Sequence, residues 1–92
     1  MNILIIDDHE IVRDGIKALI EQEYGWHVVY AVDSIGALPS YASFDEVDVA
    51  ILDISLVNES GFDTLVKIKQ QAPFVKCLML SMYEHVGYIS KA

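Results

Sequence analysis

The chain has 92 residues, 53% apolar and 22% charged, which is enough for one domain with a modest core and little stability to spare. Fourteen acidic against six basic residues leave a net charge of −8, a surface that repels nucleic acid, so no direct nucleic-acid contact is expected of this domain. A single cysteine, Cys77, excludes an internal disulfide or a cysteine-built metal site and suits a reducing cytoplasm. No apolar run approaches the roughly 18 residues of a membrane span, and Asp7 and Asp8 interrupt the N-terminal run where a signal peptide would continue. A cytoplasmic protein without a membrane segment is the expectation.

The first predicted element is a strand, "NILIID" from Asn2. It is followed at once by an amphipathic helix in which Ile11, Val12, Ile16, Leu19 and Ile20 recur at three and four residues and face inward, with Arg13, Asp14, Lys17 and Glu21 on the other side. Gly15 lies inside that helix, where it costs about 1 kcal/mol against alanine, and close packing is the expected reason for it. A second strand, "HVVYAVD", starts near His27, with Trp26 as a packing residue at its entry. "SIGALPSYA" should hold a short helix whose course Gly36 and Pro39 disturb. "DVAILDI" from Asp48 is the third strand, and a helix from about Gly61 to Gln71 turns Phe62, Leu65, Val66 and Ile68 inward before Pro73 stops it. "VKCLMLSM" from Val75 is the fourth strand, with Cys77 as a small buried hydrophobe, and a further helix begins near Glu84.

The first, third and fourth strands are continuously apolar rather than alternating, as in a parallel sheet covered on both faces. The order β-α-β-α-β-α-β-α, with strand starts near 2, 27, 48 and 75, predicts a doubly wound α/β sheet with right-handed crossovers. Ligands of such sheets bind at the carboxyl ends of the strands. There the first strand delivers Asp7 and Asp8, the second Asp33 near the edge, the third Asp53 and the fourth Ser81.

Three carboxylates brought together resist joint ionisation unless a cation joins them. Mg²⁺ suits an all-oxygen site that keeps several waters and leaves room for a phosphate. An ionised Asp53 beside it is a nucleophile for phosphorus. Helix capping is the competing explanation: Asp7 with Glu10, Ser60 with Asp63 and Ser81 with Glu84 each have capping-box spacing. Capping leaves unexplained both the doubling of Asp7 with Asp8 and Asp53, whose neighbours Ala50, Ile51, Leu52 and Ile54 are apolar. His9, which follows the acidic pair, is expected to be a solvated loop residue.

Across its whole length the chain resembles the receiver domain of two-component response regulators. "LIIDDHEIVRDGIKALI" is similar to the opening of NarL/LuxR-type regulators, "DVAILDISLVNESGFDTL" to the phosphoacceptor segment with its eight-residue step from Asp53 to Gly61, and "VKCLMLSMYE" to the fourth strand with its switch residue. The resemblance implies a flavodoxin-like, CheY-like fold with strand order 2-1-3-4, and residues 1–92 as a receiver domain with four of the usual five βα units. It implies that Asp53 accepts a phosphoryl group from a sensor histidine kinase. Asp8, Asp53 and the backbone carbonyl of Ser55 would bind Mg²⁺, with Asp7 acting through water, and Ser81 would be the switch hydroxyl. The N–H groups of Ile54 and Met82 would be further phosphoryl donors, and Tyr83 a candidate for the surface that changes.

Two features depart from the family pattern. Val57 stands where proline is usual, and the fifth-strand lysine has no counterpart among these residues. A fourth strand left as an apolar edge predicts a homodimer or swapped dimer. By resemblance, transcription would be controlled through a C-terminal helix-turn-helix domain that this chain lacks. Two other functions compete: an inert or self-associating receiver fragment, and an Mg²⁺-dependent aspartyl phosphohydrolase of haloacid-dehalogenase type. The second would need an acidic residue where Ser55 stands.

Overall fold

The structure, a computed structural model, describes residues 1–40, 42–53 and 61–80. Four strands, β1 (Asn2–Ile6), β2 (His27–Val32), β3 (Val49–Asp53) and β4 (Lys76–Leu80), form one sheet in the order β2-β1-β3-β4. All pairings are parallel. Helices α1 (Glu10–Glu21) and α2 (Gly61–Gln71) complete the described elements with two single 3-10 turns, Ile35–Ala37 and Phe44–Glu46. The doubly wound topology and the strand order agree with the sequence expectation.

Alternation along the strands divides the core into two layers. Ile3 and Ile5 of β1 with Ile51 of β3 point to the side where Ile16 and Ile20 of α1 pack. Leu4, Ile6, Ala50, Leu52, Cys77 and Met79 point to the other, against Leu65 and Ile68 of α2 and Ala72 and Val75 beyond it. Both faces of β1 and β3 are thereby covered, which is why these strands read as unbroken apolar runs. Cys77 is buried as expected, and loss of hydration raises its thiol pKa, so it is an inert packing group.

The helices bury narrower stripes than their periodicity promised. Ile11 and Leu19 of α1 are 87% and 66% exposed, and Phe62 and Val66 of α2 also face outward. The inward set is Ile16 and Ile20 on α1 and Leu65 and Ile68 on α2. A helix resting on a flat sheet buries only the residues of its contact line. Apolar residues one position to either side of that line need another element to cover them.

The short helix expected after β2 is, among the described residues, the 3-10 turn Ile35–Ala37, which the extended backbone of Leu38 (φ −62°, ψ 138°) ahead of Pro39 ends. Two smaller expectations are corrected. Trp26 is 40% exposed at the entry to β2 and is only partly a packing residue. Gly15 is not closely packed either, since nothing lies within 4 Å of where its Cβ would stand. Gly15→Ala should therefore stabilise the fold by about 0.5–1 kcal/mol, the helix-propensity difference, read as a higher urea midpoint at unchanged slope.

Candidate metal centre at the strand ends

The β1–β3 register creates the site. Ile6 pairs with Leu52, which sets Asp7, the next residue along, beside Asp53 at the end of β3. The main chain of Asp7 is held from the opposite side by β2, its N–H donating to the Val32 carbonyl at 3.0 Å. Asp7 and Asp53 are only 4% and 3% exposed, so both carboxyl groups sit in the floor of the sheet's carboxyl edge. Asp8 follows in a bend, its side chain 10% exposed.

Asp7 does not cap α1. Its Oδ1 accepts the His9 backbone N–H at 2.8 Å, a turn local to residues 7–9. The N-cap position of α1 is His9, with no side-chain cap. The capping-box pairing of Asp7 with Glu10 is thus replaced by an Asx-type turn that points Asp7 toward its acidic neighbours.

His9 is the residue the sequence reading undervalued. Its ring Nδ1 lies 3.2 Å from Asp7 Oδ1, 2.9 Å from Asp8 Oδ1 and 3.5 Å from Asp53 Oδ2, while its side chain is 48% exposed. The hydrogen bond to Asp7 raises the imidazole pKa above its ordinary value against a smaller loss of hydration, with the charges of Asp8, Asp7 and Asp53 adding to the rise. One donor atom from each of Asp7, Asp8, His9 and Asp53 lies within 4.8 Å of all the others. Hard carboxylate oxygens this close together match the donor set of a divalent cation.

Arg13, expected on the solvent side of α1, instead turns back. Its Nη1 donates to the Asp7 carbonyl at 2.7 Å, tying the first turn of α1 to the end of β1. The i to i+6 spacing from Asp7 to Arg13 spans a loop and a helix turn, so periodicity alone did not reveal it. Ser55, Ser60, Ser81, Ile54, Val57, Met82, Tyr83 and the helix expected from Glu84 lie outside the described residues.

The fold is a doubly wound parallel sheet with carboxylates gathered at its central strand ends. The family model for the response regulator receiver domain matches residues 3–92, and the chain belongs to that family. Its similarities include nitrate/nitrite and LuxR-family response regulators, which support a NarL/LuxR-type receiver. Response regulator UvrY of Escherichia coli is 31% identical over 103 aligned positions, which cover 99% of this chain and 47% of that protein. A LuxR-family two-component response regulator from Aurantimonas superposes with a TM-score of 0.77 at 28% identity, over 95% of this chain and 62% of the other. A response regulator from Burkholderia pseudomallei, solved with a phosphorylated aspartic acid, a calcium ion and citrate, superposes with a TM-score of 0.72 at 25% identity, over 95% and 50% of the two chains. The chain spans about half the length of UvrY.

Arg13→Gln should lower stability by about 1 kcal/mol, the lower end for a charge-assisted hydrogen bond because the side chain is partly solvated. Chemical denaturation checks the size. A loss of amide protection at His9 and Glu10 by hydrogen exchange checks the place.

Proposed function

We propose that this chain is a phosphoacceptor signalling domain, in which Asp53 takes a phosphoryl group from the phosphohistidine of a sensor histidine kinase in an Mg²⁺-dependent reaction. The observation that carries the proposal is the buried carboxylate of Asp53 at the end of β3, 3% exposed and beside Asp7 and Asp8. The Burkholderia regulator, with its phosphorylated aspartic acid and calcium ion, supports the same chemistry by similarity.

Asp8, Asp53 and the Ser55 carbonyl are proposed to hold the ion, with Asp7 acting through water. The donor set fits: three carboxylates supply hard oxygens, and one oxygen of Asp7 is already engaged by the His9 N–H. When bound, the cation neutralises charge on the transferring phosphoryl group. Asp53 Oδ attacks phosphorus, the P–N bond to the kinase imidazole breaks, and an acyl phosphate remains on Asp53. The sheet floor fixes the direction of attack, because Asp53 is paired with Leu80 of β4 and follows directly on the Ile6–Leu52 pair that joins β3 to β1. Ser81, which follows Leu80 in sequence, is proposed to donate its hydroxyl to the phosphoryl oxygens as the switch.

The product is a changed surface rather than a released substrate, so signalling, with at most slow autodephosphorylation, is the proposed role. Residues 1–92 form the receiver domain, and transcription would be regulated in the cytoplasm through a C-terminal helix-turn-helix domain. The edge position of β4 among the described residues favours pairing with a second copy as a further proposed contact.

Acetyl phosphate with Mg²⁺ should add the mass of one phosphoryl group to the parent chain. Asp53→Asn should add none, and Asp8→Asn should react at least ~10-fold more slowly, the scale of losing one oriented partner of a metal site. Equal labelling of the parent and Asp53→Asn would overturn the assignment.

A further inference from the structure

Of the groups around the acidic cluster, His9 is the one whose chemistry the proposed reaction leaves unused. The inference below rests on the reading that this cluster binds a divalent cation, and asks what an imidazole adds to it. We propose that His9 Nδ1 is a direct ligand of that cation and biases the site toward imidazole-binding ions of the first transition row, Co²⁺ and Mn²⁺ among them, over Mg²⁺.

Bonds of about 2.1 Å to a six-coordinate ion place adjacent ligand atoms about 3.0 Å apart and opposite ones about 4.2 Å apart. Nδ1 stands 2.9, 3.2 and 3.5 Å from the nearest oxygens of Asp8, Asp7 and Asp53, distances near the edges of such an octahedron. No pair among the four donor atoms is farther apart than 4.8 Å. A common centre is therefore within reach of all four after small adjustments.

The ring is also built to stay. The His9 N–H is bonded to Asp7 Oδ1 at 2.8 Å, and Arg13 anchors the Asp7 carbonyl at 2.7 Å, so the main chain on both sides of Asp8 is fixed. The half-exposed ring can keep its other nitrogen hydrated while Nδ1 faces inward. A neutral imidazole nitrogen is a borderline donor that Co²⁺ binds more strongly than Mg²⁺ does. Carboxylates and carbonyls alone would leave the hard ion at less of a disadvantage.

Metal-free parent and His9→Ala chains should be titrated with Co²⁺ and with Mg²⁺, following Trp26 fluorescence and heat of binding, and the Mn²⁺ complex of each should be examined by pulsed electron paramagnetic resonance. The ratio of Mg²⁺ to Co²⁺ dissociation constants should fall at least ~10-fold on His9→Ala. Directly bound nitrogen should be seen in the parent Mn²⁺ complex and be lost in the variant. Mg²⁺ binding with an unchanged ratio, or a parent Mn²⁺ complex without nitrogen coupling, would overturn the ligand role and leave the phosphoacceptor reading standing. Absence of any divalent binding to the parent would remove both.

Discussion

The structure depends on a conflict between like charges held together by a sheet. Parallel pairing of β1 with β3, one residue in register from Ile6 with Leu52, carries the chain directly into Asp7 and Asp8 on one strand and ends the other at Asp53. Two unit charges 4 Å apart near a protein surface repel by roughly 4 kcal/mol. The carboxylates cannot separate, because the strands that carry them are buried on both faces by Ile3, Leu4, Ile5, Ile6, Ala50 and Leu52. Apolar burial thus maintains an electrostatic arrangement that unconstrained side chains would abandon, and the proposed cation would relieve it.

The surrounding residues moderate the conflict without removing it. His9 brings a ring nitrogen to all three carboxylates, and Arg13 places a guanidinium on the Asp7 carbonyl. Both belong to the loop and first helix turn after β1. The segment "DDHEIVR" is consequently a single structural unit in which two acids, an imidazole and a guanidinium are positioned by one turn.

How much of this was legible in the sequence varied with the physics behind each feature. The central strands β1 and β3 were readable because burial on both faces demands unbroken apolar runs. Asp53 was readable because a charge among Ala50, Ile51, Leu52 and Ile54 has no simple structural excuse. Helix faces were less so: the spacing of Ile11 and Leu19 reports an apolar stripe but not its width against the sheet, and both residues are exposed. The local hydrogen bonds were hidden, since Asp7 has equal sequence credentials for capping α1 and for closing an Asx turn onto His9. Only the bend at Asp8 decides between them. His9 and Arg13 were missed for the same reason: a turn re-aims their side chains by amounts that no periodicity encodes.

The central claim is that the acidic cluster is destabilising until a divalent cation joins it. Thermal unfolding of the parent and of Asp8→Asn, each with and without Mg²⁺, tests this most directly. The parent midpoint should climb with Mg²⁺ concentration, as for any ligand that binds only the folded state. Metal-free Asp8→Asn should melt above the metal-free parent, because relief of repulsion outweighs a half-exposed pairing with His9 worth about 0–1 kcal/mol, and its midpoint should not respond to Mg²⁺. A parent indifferent to Mg²⁺, with Asp8→Asn melting below it, would contradict the claim.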